Sequence, residues 1–238
     1  MADTTVNRRL SRESRRNGSQ EHGRSRVNGQ DHFHLLFSRL RSLGFGIGGA
    51  LRTVGFTSCV QKEGTTTVAS HIAVLAAETA EAKVLLVDAN LVHPTLHKTF
   101  DVPCTPGLTD FATDEVDLDD VIQTSTVLNL SIVAAGTNDG VTDFRLPFDA
   151  AIRFEEFARE RFDLVVVDLS AVRASINVSA LSAALDGVVL VLAEDGVSQE
   201  LAERSLKQLK STGTNLLGVA FNKRKRHIPR WISRALEE

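Results

Sequence analysis

The chain has 238 residues, 42% apolar and 24% charged, the proportions of a soluble globular protein near the upper end of single-domain length. A formal net charge of −3 argues against a whole-chain polyanion binder, and no specific nucleic-acid partner is expected. Twelve Phe and one Trp occur without a single Tyr, which excludes any mechanism that uses or modifies a tyrosine of this chain. The two cysteines, Cys59 and Cys104, lie far apart and fit no metal spacing, as expected in a reducing compartment. No apolar run approaches the roughly 20 residues of a membrane span, and no apolar core follows the basic N-terminus as a secretory signal would require.

Residues 1–30 carry seven Arg against Asp3, Glu13 and Glu21 and few apolar side chains. Such a stretch buries too little surface to offset its ordering entropy, so it reads as a disordered basic tail. A solvated tail is the favoured reading, with contact to acidic lipid or nucleic acid as the alternative. Residues 31–52 read as a helix and a glycine-rich link. Phe33, Leu35, Leu36, Phe37 and Leu40 form a helical stripe within Asp31–Leu43, followed by Gly44, Gly46, Gly48 and Gly49.

From residue 53 to 238 the pattern alternates regularly. Val54–Ser58 reads as a strand and Thr65–Thr79 as an Ala-rich helix. Lys83–Asp88 (KVLLVD), Asp163–Asp168 (DLVVVD) and Gly187–Ala193 (GVVLVLA) are continuous apolar runs, as in strands buried on both faces. Leu130–Ala134 and Leu216–Phe221 read as further strands, and Phe148–Glu160 and Ser198–Ser211 as helices. Strands alternating with helices imply right-handed crossovers and a doubly wound, mostly parallel α/β sheet with helices on both faces. Ligands in such sheets bind at the carboxyl ends of the strands. The loop after Ser58, Asp88 and Asp168 all converge there.

A strand, a tight loop and a helix form a phosphate-binding loop when backbone N–H groups and the helix N-terminus face the anion. Here the order is VGFTS, CVQKEG, TTTVASHIAVLAA. Gly64 stands where the last loop glycine belongs. Thr65 holds the place of the lysine that contacts the terminal phosphates, and Thr66 the place of the hydroxyl that holds Mg²⁺. Thr65, Thr66 and Thr67 read equally well as N-cap and first-turn residues.

On these motifs residues 31–238 resemble the bacterial tyrosine kinase family of capsule and exopolysaccharide assembly, within the wider MinD/ParA-like group of P-loop NTPases with deviant Walker motifs. The family's loop reads Ser-Ala-x-Pro-Gly-Glu-Gly-Lys-Ser-Thr, and this chain has SCVQKEGTTT from Ser58. The family's Asp-x-Asp-x-Arg becomes Asp88, Asn90 and Val92, and its third acidic motif becomes LVVVDLSA with Asp168. HPTLHKTFDV, PGLTDFAT, LDGVVLVLAEDGVS and the closing LLGVAFNKRKRHIPRWISRAL also match, with Asn222 near the base-binding end.

The resemblance implies an ATP or ADP site with Mg²⁺. Lys62, Glu63, Gly64, Thr65, Thr66, Thr67 and Asn222 would be nucleotide-binding. Thr66, Asp88 and Asp168 would be at the metal, with Asp88 and Asp168 as the catalytic candidates; capping of the following loops is the competing reading for both. Thr65 can offer one neutral hydrogen bond, worth about 0.5–1.5 kcal/mol against about 1.5–3 for a charge-assisted one. The loss weighs more on catalysis than on binding, because charge accumulates on the phosphates in the transition state. Asn90 cannot serve as a carboxylate, and Lys62 stands where the family has its φ-tolerant glycine. The chain therefore reads as a degenerate relative, a regulatory or scaffolding partner in polysaccharide export. The alternatives are an active ATPase or tyrosine kinase acting on other proteins, with Lys62 or a partner's arginine as substitute cation, and a membrane-surface module using the basic ends.

The implied location is cytoplasmic, peripheral at the inner face of the cell membrane, beside a membrane-embedded chain-length regulator protein. A homo-oligomer is also open, although the family's ring contact, Glu-x-x-Arg-x-x-Arg, aligns here with Asp31, His34 and Phe37. His93 and His97 sit four apart without an evident third metal ligand, and His71 reads as packed or solvent-facing rather than as a ligand. The cluster Lys223, Arg224, Lys225, Arg226, Arg230 and Arg234 surrounds Trp231 and Ile232, which reads as Trp231 packing on the core or as a contact with anionic membrane.

Overall fold

The structure, a computed structural model, describes residues 29–79, 82–137, 146–174, 177–194 and 197–223. Residues 1–28 of the basic tail and the cluster around Trp231, apart from Lys223, lie outside them, while Gly29 and Gln30, read as tail, open a helix instead. The elements in chain order are α1 (Gly29–Ser42), β1 (Thr53–Ser58), α2 (Thr65–Thr79), β2 (Val84–Ala89), α3 (Leu96–Phe100), α4 (Leu108–Ala112), α5 (Leu118–Val121), β3 (Ile122–Thr124), β4 (Leu130–Val133), α6 (Phe148–Arg161), β5 (Leu164–Leu169), α7 (Asn177–Ala184), β6 (Gly187–Ala193), α8 (Gln199–Ser211) and β7 (Leu216–Asn222).

The strands form one seven-stranded sheet in the order β3-β4-β2-β5-β1-β6-β7. Every neighbouring pair is parallel except β3–β4 at one edge. The doubly wound, mostly parallel sheet expected from the alternating pattern is therefore the observed architecture. The apolar runs of β1, β2, β5 and β6 occupy the four central positions and are buried throughout, apart from the half-buried Ala193.

Side chains alternate across this sheet, and the alternation divides the core. Val54, Phe56, Val84, Leu86, Leu164, Val166, Val189 and Val191 point to the face covered by α2 and, outside it, α1. Leu85, Val87, Val165, Val167, Leu169 and Val188 point to the opposite face, covered by α4, α6 and α7. Leu190 and Leu192 meet Leu209 of α8 and the buried Cys59. Lying between the sheet and α1, α2 is buried on most of its circumference. That explains its small side chains Ala69, Ala73, Ala76 and Ala77, which let it approach both layers.

α1 adds Phe33, Phe37 and Leu40 to the same core, and the glycine-rich link adds Phe45 and Leu51. Phe37 meets Phe45 edge to face, with centroids 6.4 Å apart. At the amino ends of the strands Arg52 donates to the carbonyls of Arg159 and Phe162, while Arg159 pairs with Asp186 and Glu155. This buttress lies opposite the carboxyl ends where Asp88 and Asp168 stand.

Candidate functional site

Parity decides which face the two aspartates occupy. Asp88 has the register of Val84 and Leu86, and Asp168 that of Leu164 and Val166, so both point toward the α2 side. They are direct partners on adjacent strands, and both are fully buried. Thr66, in the first turn of α2, donates its hydroxyl to Asp168 Oδ2 at 2.6 Å. The other oxygen, Asp168 Oδ1, is buried and has no hydrogen-bond partner. Thr66, Asp88 and Asp168 are thus brought to one place.

The two carboxylates are held differently. Asp88 Oδ1 accepts from Asn90 N at 3.2 Å, and Oδ2 accepts from Thr95 N and Leu96 N, each at 3.0 Å. Asp88 therefore fixes the turn after β2 and the start of α3, which is the capping role weighed against it from sequence. Burial pushes both carboxyls above the ordinary carboxylate range. Three N–H donors moderate this at Asp88, which reaches about 7. Asp168 is also raised, by burial first and then by the Asp88 charge, with only the Thr66 hydroxyl opposing.

The loop from Cys59 to Gly64 keeps its phosphate-loop shape through contacts absent from the motif. Glu63 is only 2% exposed. Its Oε2 accepts from Val60 N and its Oε1 from Ala193 N, both at 2.9 Å, so it ties the loop to itself and to β6. Lys62 adopts φ +68 and is exposed, so the left-handed backbone persists where the family has glycine. Gly64 has φ +93, and a Cβ there would fall on the Asn222 amide. That amide donates to Glu63 O at 2.9 Å, and the Lys223 ammonium donates to Lys62 O. Asn222 is thus at the loop, holding its backbone. Thr65 is 7% exposed, Thr67 is buried and Thr66 half-buried at the head of α2.

Two further contacts had no signal in the sequence, because each joins segments remote in the chain. Ser170 donates to Asn90 Oδ1 at 3.2 Å, joining the ends of β2 and β5. His93 Nε2 lies 3.0 Å from Gln61 Oε1, joining the segment after β2 to the loop. His97 is on α3. Among the described residues no group of three or more His, Cys, Asp or Glu could hold a metal ion, so His93 and His97 form no such cluster. His71 stacks on Phe33 at 3.9 Å and bonds Thr67 O through Nδ1, which is the packed role expected.

No protein-family model matches the chain. Among curated proteins, a tyrosine-protein kinase of Bacillus subtilis, YwqD, is 34% identical over 86 residues, 36% of this chain and 36% of that protein. The putative tyrosine-protein kinase CapB of Staphylococcus aureus is 28% identical over 119 residues, 50% of this chain and 51% of that protein. The chain is related to bacterial tyrosine kinases. The matched stretch spans about half or less of these relatives' own length. Among solved structures, the kinase domain of the Escherichia coli tyrosine kinase ETK superposes with a TM-score of 0.73 at 20% identity, covering 88% of this chain and 86% of that one. MinD of Pyrococcus horikoshii, solved with Mg-ADP, gives 0.62 at 19% identity, covering 78% and 76%. The fold of this kinase relative is therefore the MinD/ParA-like P-loop fold.

Proposed function

We propose that this relative of bacterial tyrosine kinases retains a magnesium–nucleotide site but has lost efficient phosphoryl transfer, and serves as a regulatory partner in capsule or exopolysaccharide assembly. The observation that carries the reading is Thr65 at the loop's cation position, beside a Thr66–Asp168–Asp88 group that is otherwise assembled. Site and loop differ in how much they depart from the resemblance. The hydroxyl and the two carboxylates are in place, while the ammonium is replaced by a neutral hydroxyl.

The donor set fits a magnesium ion. It consists of hard oxygens, and it contains one buried carboxylate oxygen, Asp168 Oδ1, with no partner of its own. Thr66 and Asp168 would hold the ion, with Asp88 adding negative charge beside them. A bound magnesium supplies charge neutralisation for the phosphates. The chain's own part is to keep Thr66 and Asp168 together, to fix the Asp88 turn, and to hold the loop through Glu63, Asn222 and Lys223. With Thr65 in place of lysine, the head of α2 offers a neutral hydroxyl where the resemblance implies an ammonium, so binding survives better than transfer. The lack of any Tyr means that a regulatory role does not run through tyrosine phosphorylation of this chain. The partner the resemblance points to is a membrane-embedded chain-length regulator, with the chain at the inner membrane face.

Calorimetric titration of the full chain with ATP and ADP, with and without Mg²⁺, tests the site. The expected result is magnesium-dependent binding, reduced at least tenfold by Asp168→Asn and strengthened by Thr65→Lys, with no ATP hydrolysis above buffer. A clear Mg²⁺-dependent ATPase rate of the wild type, abolished by Asp168→Asn, would show a working enzyme and overturn the reading.

A further inference from the structure

The missing ammonium raises the question of which group meets the terminal phosphate instead. Of the two lysines at the loop, Lys223 is engaged with its backbone, and the Lys62 side chain is exposed. Lys62 is exposed in a left-handed turn, and its carbonyl takes the Lys223 ammonium while Asn222 takes the carbonyl of Glu63. These contacts hold the Gly64 side of the loop.

The other side of the loop, three residues before Gly64, is Gln61, and it is met by His93. The amide oxygen of Gln61 faces the ring, so His93 Nε2 is the donor, and it points at the loop. The backbone around His93 is fixed from both sides. His93 N donates to Asn90 O at 3.1 Å and to Asn90 Oδ1 at 3.4 Å. Asn90 N before it, and Thr95 N and Leu96 N after it, all bond Asp88. Ser170, two residues after Asp168, anchors the Asn90 side chain. The imidazole therefore reaches the phosphate loop from a turn built on the same carboxylate that lines the site.

We infer that His93 is the terminal-phosphate contact of this nucleotide site, its Nε2–H exchanging the Gln61 amide for a phosphate oxygen when a nucleoside triphosphate binds. The inference rests on the nucleotide reading above. Exchange of a neutral acceptor for an anionic one strengthens the bond, and only a triphosphate presents the third phosphate to it. His93 then sets preference for triphosphate over diphosphate, a role separate from the Thr66 and Asp168 oxygens.

The test is the ratio of ATP to ADP affinity, measured with a non-hydrolysable ATP analogue and ADP on the full chain. The wild type should prefer the triphosphate. His93→Ala should lose that preference by about tenfold while its ADP affinity stays unchanged. Gln61→Ala frees the ring and should retain the preference. An unchanged ratio in His93→Ala, with both nucleotides bound, overturns this assignment and leaves the nucleotide reading standing. Loss of the preference in Gln61→Ala but not in His93→Ala assigns the contact to the amide and also overturns it. Failure of the wild type to bind either nucleotide overturns the nucleotide reading and the assignment with it. Both residues are exposed, so the variants should fold, which thermal melting of each checks.

Discussion

The two buried aspartates make the clearest physical demand on the site. In an unfolded chain both titrate near 4. In the fold Asp88 rises to about 7, and Asp168 is raised too, by burial and by the Asp88 charge. Folding therefore takes up protons from about pH 4 to pH 7 and above, so the stability these groups contribute is fully present in acid and is lost as the pH rises through the folded values. Asp168→Asn keeps the shape and removes the titration. Its stability relative to the wild type should increase from pH 5 to pH 8, read as the difference between their urea midpoints. A difference independent of pH would show that Asp168 is ionised in the fold. At this scale the sequence revealed which residues stand together, since Asp88 and Asp168 end apolar runs beside a loop-and-helix signal. It could not reveal how each is used. The Asp88 bonds run to Thr95 and Leu96, and the Gln61–His93 contact spans 32 residues; neither follows a local period.

Among the elements, the long ones and the four-residue β4 were legible, and the other short ones were not. α2 begins and ends where its pattern places it, and the central strands match within a residue. α3, α4, α5, β3 and α7 are three to eight residues long, too short for a helical or strand period to stand out. α1 shows what the periodic stripe leaves unsaid. Its core residues Phe33, Phe37 and Leu40 were legible, but the ring of Phe33 rests on His71 of α2 with an interplanar angle of 8°. Burial lowers the His71 pKa below its ordinary value, the Thr67 carbonyl opposing. Stability from the neutral ring is present above about pH 6.5 and is lost as the pH falls through the folded value. Because His71 sits between α2 and α1, the loss should be local. Amide-exchange protection of α1 should fall between pH 7 and pH 5 while that of β5 holds, and His71→Phe, which keeps the stack without the charge, should abolish the fall. Equal loss in α1 and β5 would mean that the helix does not open separately.

For the molecule as a whole, the resemblance raises a subunit contact through α1, and the burial of Phe37 bears on it. The motif aligns Phe37 with an outward-facing arginine, yet Phe37 is 5% exposed and packs on Phe45 within the core. What α1 presents outward is Asp31, His32, His34, Leu35, Ser38, Arg39, Arg41 and Ser42. A ring needs a head-to-tail interface repeated around the axis, and a specific interface buries about 1,000 Å² or more. Three exposed apolar side chains, Leu35 on α1 and Leu43 and Ile47 just after it, are few against the roughly 20–30 residues a side of such an interface. Exposed ion pairs contribute about 0–1 kcal/mol each and weaken with salt. The full chain should therefore be monomeric by light scattering at micromolar concentration and physiological salt. Leu35→Ala or Asp31→Ala should leave its mass unchanged, whereas Phe37→Ala should cost about 3–5 kcal/mol of stability, as a buried ring removed from the core does. A closed oligomer that Asp31→Ala dissociates while Phe37→Ala leaves the fold stable would place α1 at a subunit interface and reverse this assignment of its faces.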